Sequence, residues 1–233
     1  MVLKGLPDGR MIAIYYDNRI AVFDPVKGVK EDEYAVKMRP IDVTIGSSKL
    51  PLYLGADRLV HAVTAKATED KPLEETILQL PKARFWKFSP SGEYIILENP
   101  RHTIGIMSIA SGETSYIGGH QKDADNAWAL IDASVLGDNL ATIANESLVI
   151  WSISGKSALS PNIKLPANPV RVAMLDDNRA AVAYPNGNIE VYGRSGQLLC
   201  DWKATTPITA LCGTASGLIA GMVDSTVIHF KVE

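Results

Sequence analysis

The stretch Asn145-Glu146-Ser147-Leu148-Val149-Ile150-Trp151 puts a turn-forming residue first, an apolar residue three positions on and a bulky one six positions on. Asn tolerates left-handed backbone, and the aliphatic and aromatic run behind it favours extended backbone, so the segment reads as a hairpin turn feeding a strand. The same offsets recur five more times: Asp17 with Ile20 and Phe23, Asp57 with Val60 and Val63, Arg101 with Ile104 and Met107, Asn186 with Ile189 and Tyr192, Asp224 with Val227 and Phe230. Successive copies stand 38 to 44 residues apart, and together they cover nearly the whole chain.

That period suits a blade of four short strands or a unit of paired helices. The local chemistry decides for strands, because each copy is built from short apolar runs such as Met11–Tyr16 and Leu148–Trp151, cut by Gly, Asn, Asp and Pro. In the third copy, strands are expected at 83–88, 93–97, 103–109 and 113–117, with turns at Ser89-Pro90-Ser91-Gly92, Asn99-Pro100-Arg101 and Ser111-Gly112. The fold class that follows is all-β, a six-bladed β-propeller in one domain, with approximate blades 1–39, 40–81, 82–120, 121–166, 167–204 and 205–233. The last blade is expected to lack its outer strand, since Val2–Leu6 is needed as the first blade's inner strand.

These features resemble the WD-repeat β-propellers in divergent form. Gly119-His120 followed by Trp151-Ser152 looks like that family's Gly-His and Trp-Asp pair, Phe23-Asp24 keeps the aspartate, and Phe88-Ser89-Pro90-Ser91-Gly92 is similar to its hairpin after the inner strand. The resemblance implies a structural hydrogen bond from His120 across its blade, with Asn145 at the turn position usually held by Asp. An Asn brings no charge, so that network is expected to be weaker. A propeller of the WD-repeat kind is expected to act as a rigid interaction platform inside a larger assembly.

Composition narrows the function classes. With 23 basic against 26 acidic side chains, a net charge of -3 and no block of like charge, nothing in the sequence signals nucleic-acid binding. An apolar fraction of 46% is enough to bury a sizeable core. No apolar run is long enough to span a bilayer, Met1 to Arg10 show no secretory pattern, and Cys200 and Cys212 make no disulfide framework. The expectation is an intracellular protein, cytoplasmic or nuclear.

No nucleophile elbow, phosphate-cradling loop or metal-ligand spacing is present, and the four histidines, His61, His102, His120 and His229, are scattered. No catalysis, cofactor or metal is therefore expected. His61 and His229, on third strands, read as core histidines. In a propeller, the second-to-third strand turns and the connections between blades emerge on one surface. That surface would carry Tyr16, Arg19, Arg39, Arg58, Arg84, Arg101, His102 and Arg171, and Arg and Tyr are residue types that anchor interfaces. The loop from His120 to Asn126, with Trp128 behind it, falls there as well. The function expected is a non-catalytic interaction platform, with protein partners, one of which supplies a strand to the last blade. A phosphopeptide or ubiquitin reader is a special case that needs Arg39, Arg84 and Arg101 to converge. The competing reading is a propeller hydrolase or lactonase using Asp42, Asp132 and Asp176 with a divalent cation.

Overall fold

The computed structural model describes residues 2–6, 8–65, 73–99, 101–120, 129–214, 217–224 and 226–231. Each repeat folds into its own antiparallel sheet, with strands side by side in chain order. The first holds β1 (Val2–Gly5), β2 (Met11–Ile14), β3 (Arg19–Asp24) and β4 (Val29–Ala35); the second holds β5 (Pro40–Ile45), β6 (Pro51–Gly55), β7 (Leu59–Ala65) and β8 (Leu73–Gln79). The third is β9 (Phe85–Phe88), β10 (Tyr94–Glu98), β11 (Ile104–Ser108) and β12 (Thr114–Gly118). The fourth is β13 (Leu130–Leu136), β14 (Asn139–Ala144), β15 (Ser147–Ser152) and an outer strand in two pieces, β16 (Ser157–Ala158) and β17 (Ile163–Lys164). The fifth is β18 (Arg171–Met174), β19 (Arg179–Ala183), β20 (Asn188–Gly193) and β21 (Leu198–Lys203); the sixth is β22 (Ile208–Thr214), β23 (Gly217–Met222) and β24 (Val227–Lys231). Six such sheets in succession are the blades of a six-bladed β-propeller. No helix occurs among the described residues, and none is therefore long and apolar enough to cross a membrane.

The chain packs as two compact units, Met1–Lys82 with Lys87–Ile95 and Met107–Glu113, and Ala83–Trp86 with Ile96–Ile106 and Thr114–Glu233. In the first, Ile12, Ile14, Ile20 and Val22 pack against Val43, Tyr53 and Val63 of the next sheet. In the second, Ile143, Leu148 and Ile150 meet Val172, Ala180 and Val182, and a further cluster joins Ala181 and Val191 to Leu218 and Ala220. Each buried Val, Leu or Ile among them contributes about 1.5 to 3 kcal/mol on burial. Because sheets stack on both sides, second strands such as β6 and β14 are buried at every position, which is why strict polar alternation is absent from the sequence.

The break in the fourth outer strand has a local cause. Pro161 has no N–H for the ladder. The Ser160 hydroxyl instead accepts the Ile150 N–H at 2.9 Å, between the β15–β16 and β15–β17 pairings. The sixth sheet has three strands among the described residues, matching the expected missing outer strand. His229, expected in the core, is exposed on β24, whereas His61 is buried. A third strand lies inside a blade only when a fourth covers it, and none covers β24 among the described residues.

Candidate functional site

The turns between second and third strands share one backbone device. Asn18, Arg58, His102, Asn145 and Gly187 all sit in the left-handed region, with φ of 59°, 64°, 58°, 48° and 84°. Gly and Asn adopt this conformation at little cost, whereas for Arg58 and His102 it costs about 1 kcal/mol or more. In four blades the turn is tied to the connection that leaves the outer strand: Val36 N–H to Asn18 O, Leu80 to Arg58, Leu165 to Glu146, and Ala204 to Gly187, all at 2.8 to 3.0 Å. Turn and connection thus share one end of each of these blades.

On the first blade that end carries Tyr16, 76% exposed, with the Arg39 guanidinium 5.2 Å from its ring centre. Arg39 meets no carboxylate among the described residues, so its charge stays available. Arg19 lies 5.5 Å from the Tyr15 ring but is ion-paired with Asp17 and Glu33. Arg58 is exposed at its turn on the second blade.

On the third blade the exposed Arg84 reaches His102, Nη1 to Nε2 at 3.2 Å. His102 Nδ1 in turn stands 3.2 Å from Oε1 of Glu98, a side chain only 1% exposed, whose Oε2 accepts the Leu130 N–H at 2.9 Å. Arg101, next in the chain to His102, is exposed. Arg171 differs from the others, because its guanidinium donates to two main-chain oxygens, Thr209 O at 2.9 Å and Val170 O at 2.6 Å. Of the expected set, then, the structure joins Tyr16 with Arg39 and Arg84 with His102. The loop from His120 onward through Trp128 lies outside the described residues beyond His120 itself.

The inner-strand carboxylates are engaged in holding blades together. Asp42 accepts the Phe88 N–H at 2.7 Å and Lys4 Nζ at 2.9 Å, and two residues on, the Thr44 hydroxyl donates to Pro90 O at 3.0 Å. Asp132 repeats this on the fourth blade, accepting the Val172 N–H at 3.0 Å while Ser134 Oγ accepts the Met174 N–H at 3.0 Å. Both aspartates follow a register shift in the inner strand, which turns an extra residue toward the neighbouring blade. Asp176 sits in a turn, bonded to the Asn178 N–H and to Arg179. Among the described residues no group of three or more His, Cys, Asp or Glu is arranged to hold a metal. Sequence reasoning saw these aspartates but not their partners about 40 residues away, since a side-chain bond to main chain leaves no pattern in the partner.

The blade network around His120 is polar, buried and directed. Trp151 Nε1–H donates to Thr142 Oγ1 at 2.8 Å, leaving the Thr142 hydroxyl to donate to His120 Nε2 at 2.8 Å. Nδ1–H then donates to Ser147 Oγ at 2.6 Å, and Ser147 passes its own proton to Ala144 O at 2.9 Å. Asn145 holds the turn and Ser147 accepts from the ring. Only a neutral imidazole fits this order, and burial pushes the His120 pKa down to about 3 from 6.5. The unfolded chain takes up this proton below about pH 6.5 and the folded one does not, so stability present above that pH is lost as pH falls toward 3. The loss is about 1.4 kcal/mol per pH unit. Urea midpoints from pH 7 to 5 should show one proton less of pH dependence in His120→Gln than in the wild type; equal slopes would place the proton elsewhere.

No protein-family model matches the chain, and no curated protein sequence matches it. The likeness is one of structure. A chain of the crystal structure of the mitotic checkpoint complex superposes with a TM-score of 0.67 at 12% identity, over 99% of this chain and 73% of that one. The computationally designed Ika8 protein superposes with a TM-score of 0.60 at 15% identity, over 96% and 68%. At these identities the likeness concerns the fold.

Proposed function

We propose that the chain is a non-catalytic platform for protein–protein contact, an intracellular subunit of a larger assembly, of the WD-repeat kind, that engages partners through the turn ends of its blades. The observation that carries this reading is the Tyr16–Arg39 pair. A large aromatic left 76% exposed and capped by an arginine without a carboxylate partner among the described residues has the chemistry of an interface anchor. The fold is shared with a chain of a multi-protein complex, which is compatible with such a role. The engagement of Asp42 and Asp132 in blade-to-blade bonds weighs against the hydrolase reading. Tyr16→Ala with Arg39→Glu should cut recovery of native partners in co-purification at least tenfold while shifting the melting temperature by no more than a few degrees. Unchanged recovery would overturn this reading.

One partner contact is read from the sixth sheet. Among the described residues nothing pairs with the outer side of β24, where Val227 is 54% exposed. An added strand would satisfy the main-chain groups there and cover Val227. Amides of β24 should therefore exchange faster than those of β15, which is paired on both sides, and a bound partner should slow them. Equal protection in the isolated chain would show that the edge is already covered.

A further inference from the structure

The platform reading leaves open what chemistry its partners present, and the third blade answers it. The turn Asn99–Thr103 is held by its own bonds: Asn99 Oδ1 accepts the N–H groups of Arg101 at 2.8 Å and Thr103 at 3.1 Å, and the His102 N–H donates to Asn99 O at 3.0 Å. This fixes His102 in left-handed backbone, a conformation an asparagine or glycine would hold more cheaply. Arg84 is tied to the same place, its own N–H donating to Glu98 O at 2.8 Å.

A guanidinium can only donate, so the 3.2 Å contact makes His102 Nε2 the acceptor; Nδ1 stands 3.2 Å from Oε1 of the buried Glu98, an oxygen that no hydrogen bond satisfies. The groups are ordered outward: a buried carboxyl at the root, the imidazole above it, a guanidinium at the surface. Nη1 of Arg84 is engaged by His102, and among the described residues no carboxylate and no other acceptor touches the guanidinium. Its Nε and Nη2 edge is the edge whose two parallel N–H groups match a carboxylate. Arg101, exposed and likewise without a carboxylate partner among the described residues, stands one residue from His102.

We propose that Arg84, set on His102 and Glu98 and assisted by Arg101, is a receptor for the side-chain carboxylates of an acidic segment of a partner protein. This rests on the platform reading and gives it a partner chemistry. A singly charged carboxylate fits one open guanidinium edge. A phosphate dianion fits less well, because the described residues direct no main-chain N–H groups at it. His102 is a positioning residue, which acts by holding the guanidinium in one orientation so that less of its freedom is lost when a ligand docks.

The test uses three fluorescein-labelled peptides of six glutamates, six phosphoserines or six serines, followed by fluorescence anisotropy at about 20 mM salt. Saturable binding of the glutamate peptide is expected, with none of the serine peptide and weaker binding of the phosphoserine one. Arg84→Gln and Arg101→Gln should each weaken it, Arg84→Gln at least tenfold. His102→Ala should weaken it as well, and the loss should not add to that of Arg84→Gln, since both act through one guanidinium. His102→Gln, which keeps an acceptor for Arg84, should recover part of the affinity, an effect a purely structural role would not produce. Melting curves check that each variant is folded. Absence of saturable binding, an Arg84→Gln variant that binds like the wild type, or stronger binding of the phosphoserine peptide overturns the proposal. The platform reading fails separately, through unchanged partner recovery in the Tyr16 and Arg39 variant.

Discussion

Replacing Trp151 by alanine should lower stability by about 3 to 5 kcal/mol, because the indole fills a space that nothing nearby can take over. Trp151 is 4% exposed at the end of β15, paired with Leu140 on one side and Ala158 on the other. The outer edge of its ring lies against Gly118, where an added Cβ would stand 3.1 Å from Cζ3, and the His120 ring meets it in an edge arrangement with ring centres 6.2 Å apart. Removal of the ring leaves a cavity between those main-chain segments, which are fixed by their own ladders. It also takes the donor away from Thr142 Oγ1, a group fully buried in β14 and already committed as donor to His120. Trp151→Phe weights the two terms differently: it loses the N–H but keeps most of the volume, and should cost about 1 to 3 kcal/mol. Urea denaturation of the two variants measures both. A loss below about 1 kcal/mol in Trp151→Ala would mean that the indole does not support the blade.

Trp151 also shows why so much of the fold was legible. The six-residue offset runs from the start of the turn, whose left-handed residue is the first position at Asn145 and the second at Asn18, Arg58, His102 and Gly187, to the far end of a third strand. Asn18, Asn145 and Gly187 mark the turn because few other residues accept positive φ; Phe23, Trp151 and Tyr192 mark the strand end with a large ring. Arg58 and His102 break the left-handed preference, and there the turn is marked by its neighbours Asp57 and Asn99, whose side chains accept main-chain N–H groups. What stayed hidden was every bond made by a side chain to distant main chain. Asp42 looks in sequence like any carboxylate near a strand, and its acceptance of the Phe88 N–H depends on a register shift that no composition encodes. The candidate site was legible as residue types at turn ends and not as an arrangement. Residue type and strand order put arginines at the turn ends, but only the structure shows that Arg19 and Arg171 are engaged within the protein, that Arg39 lies on Tyr16, and that Arg84 is carried by His102.

A methyl group added at Gly213 should be among the least tolerated changes in the chain. Gly213 is in β22, opposite Leu218 of β23, and its backbone is not in the left-handed region, so conformational freedom is not the reason for glycine there. The reason is contact. An ideal Cβ would stand 1.9 Å from the carbonyl oxygen of Met174, 2.9 Å from its carbonyl carbon and 3.3 Å from Cα of Leu175. These are main-chain atoms at the end of β18, where the Met174 N–H is itself held by Ser134, so they cannot swing aside as a side chain would. The neighbouring inner strands must separate by more than an ångström, opening the packed cluster of Ala173, Ala181, Leu218 and Ala220 between the fifth and sixth sheets. Gly213→Ala should therefore cost at least about 3 kcal/mol, at the upper end of what overpacking produces. Gly9→Ala is the matched control: φ is +85° there but nothing lies within 4 Å of the new methyl, so it bears only the conformational cost of about 1 kcal/mol. Denaturant midpoints of the two variants, measured side by side, compare close contact with backbone strain. If Gly213→Ala is no less stable than Gly9→Ala, the fifth and sixth blades do not pack through their inner main chains, and the close stacking of β18 on β22 is wrong.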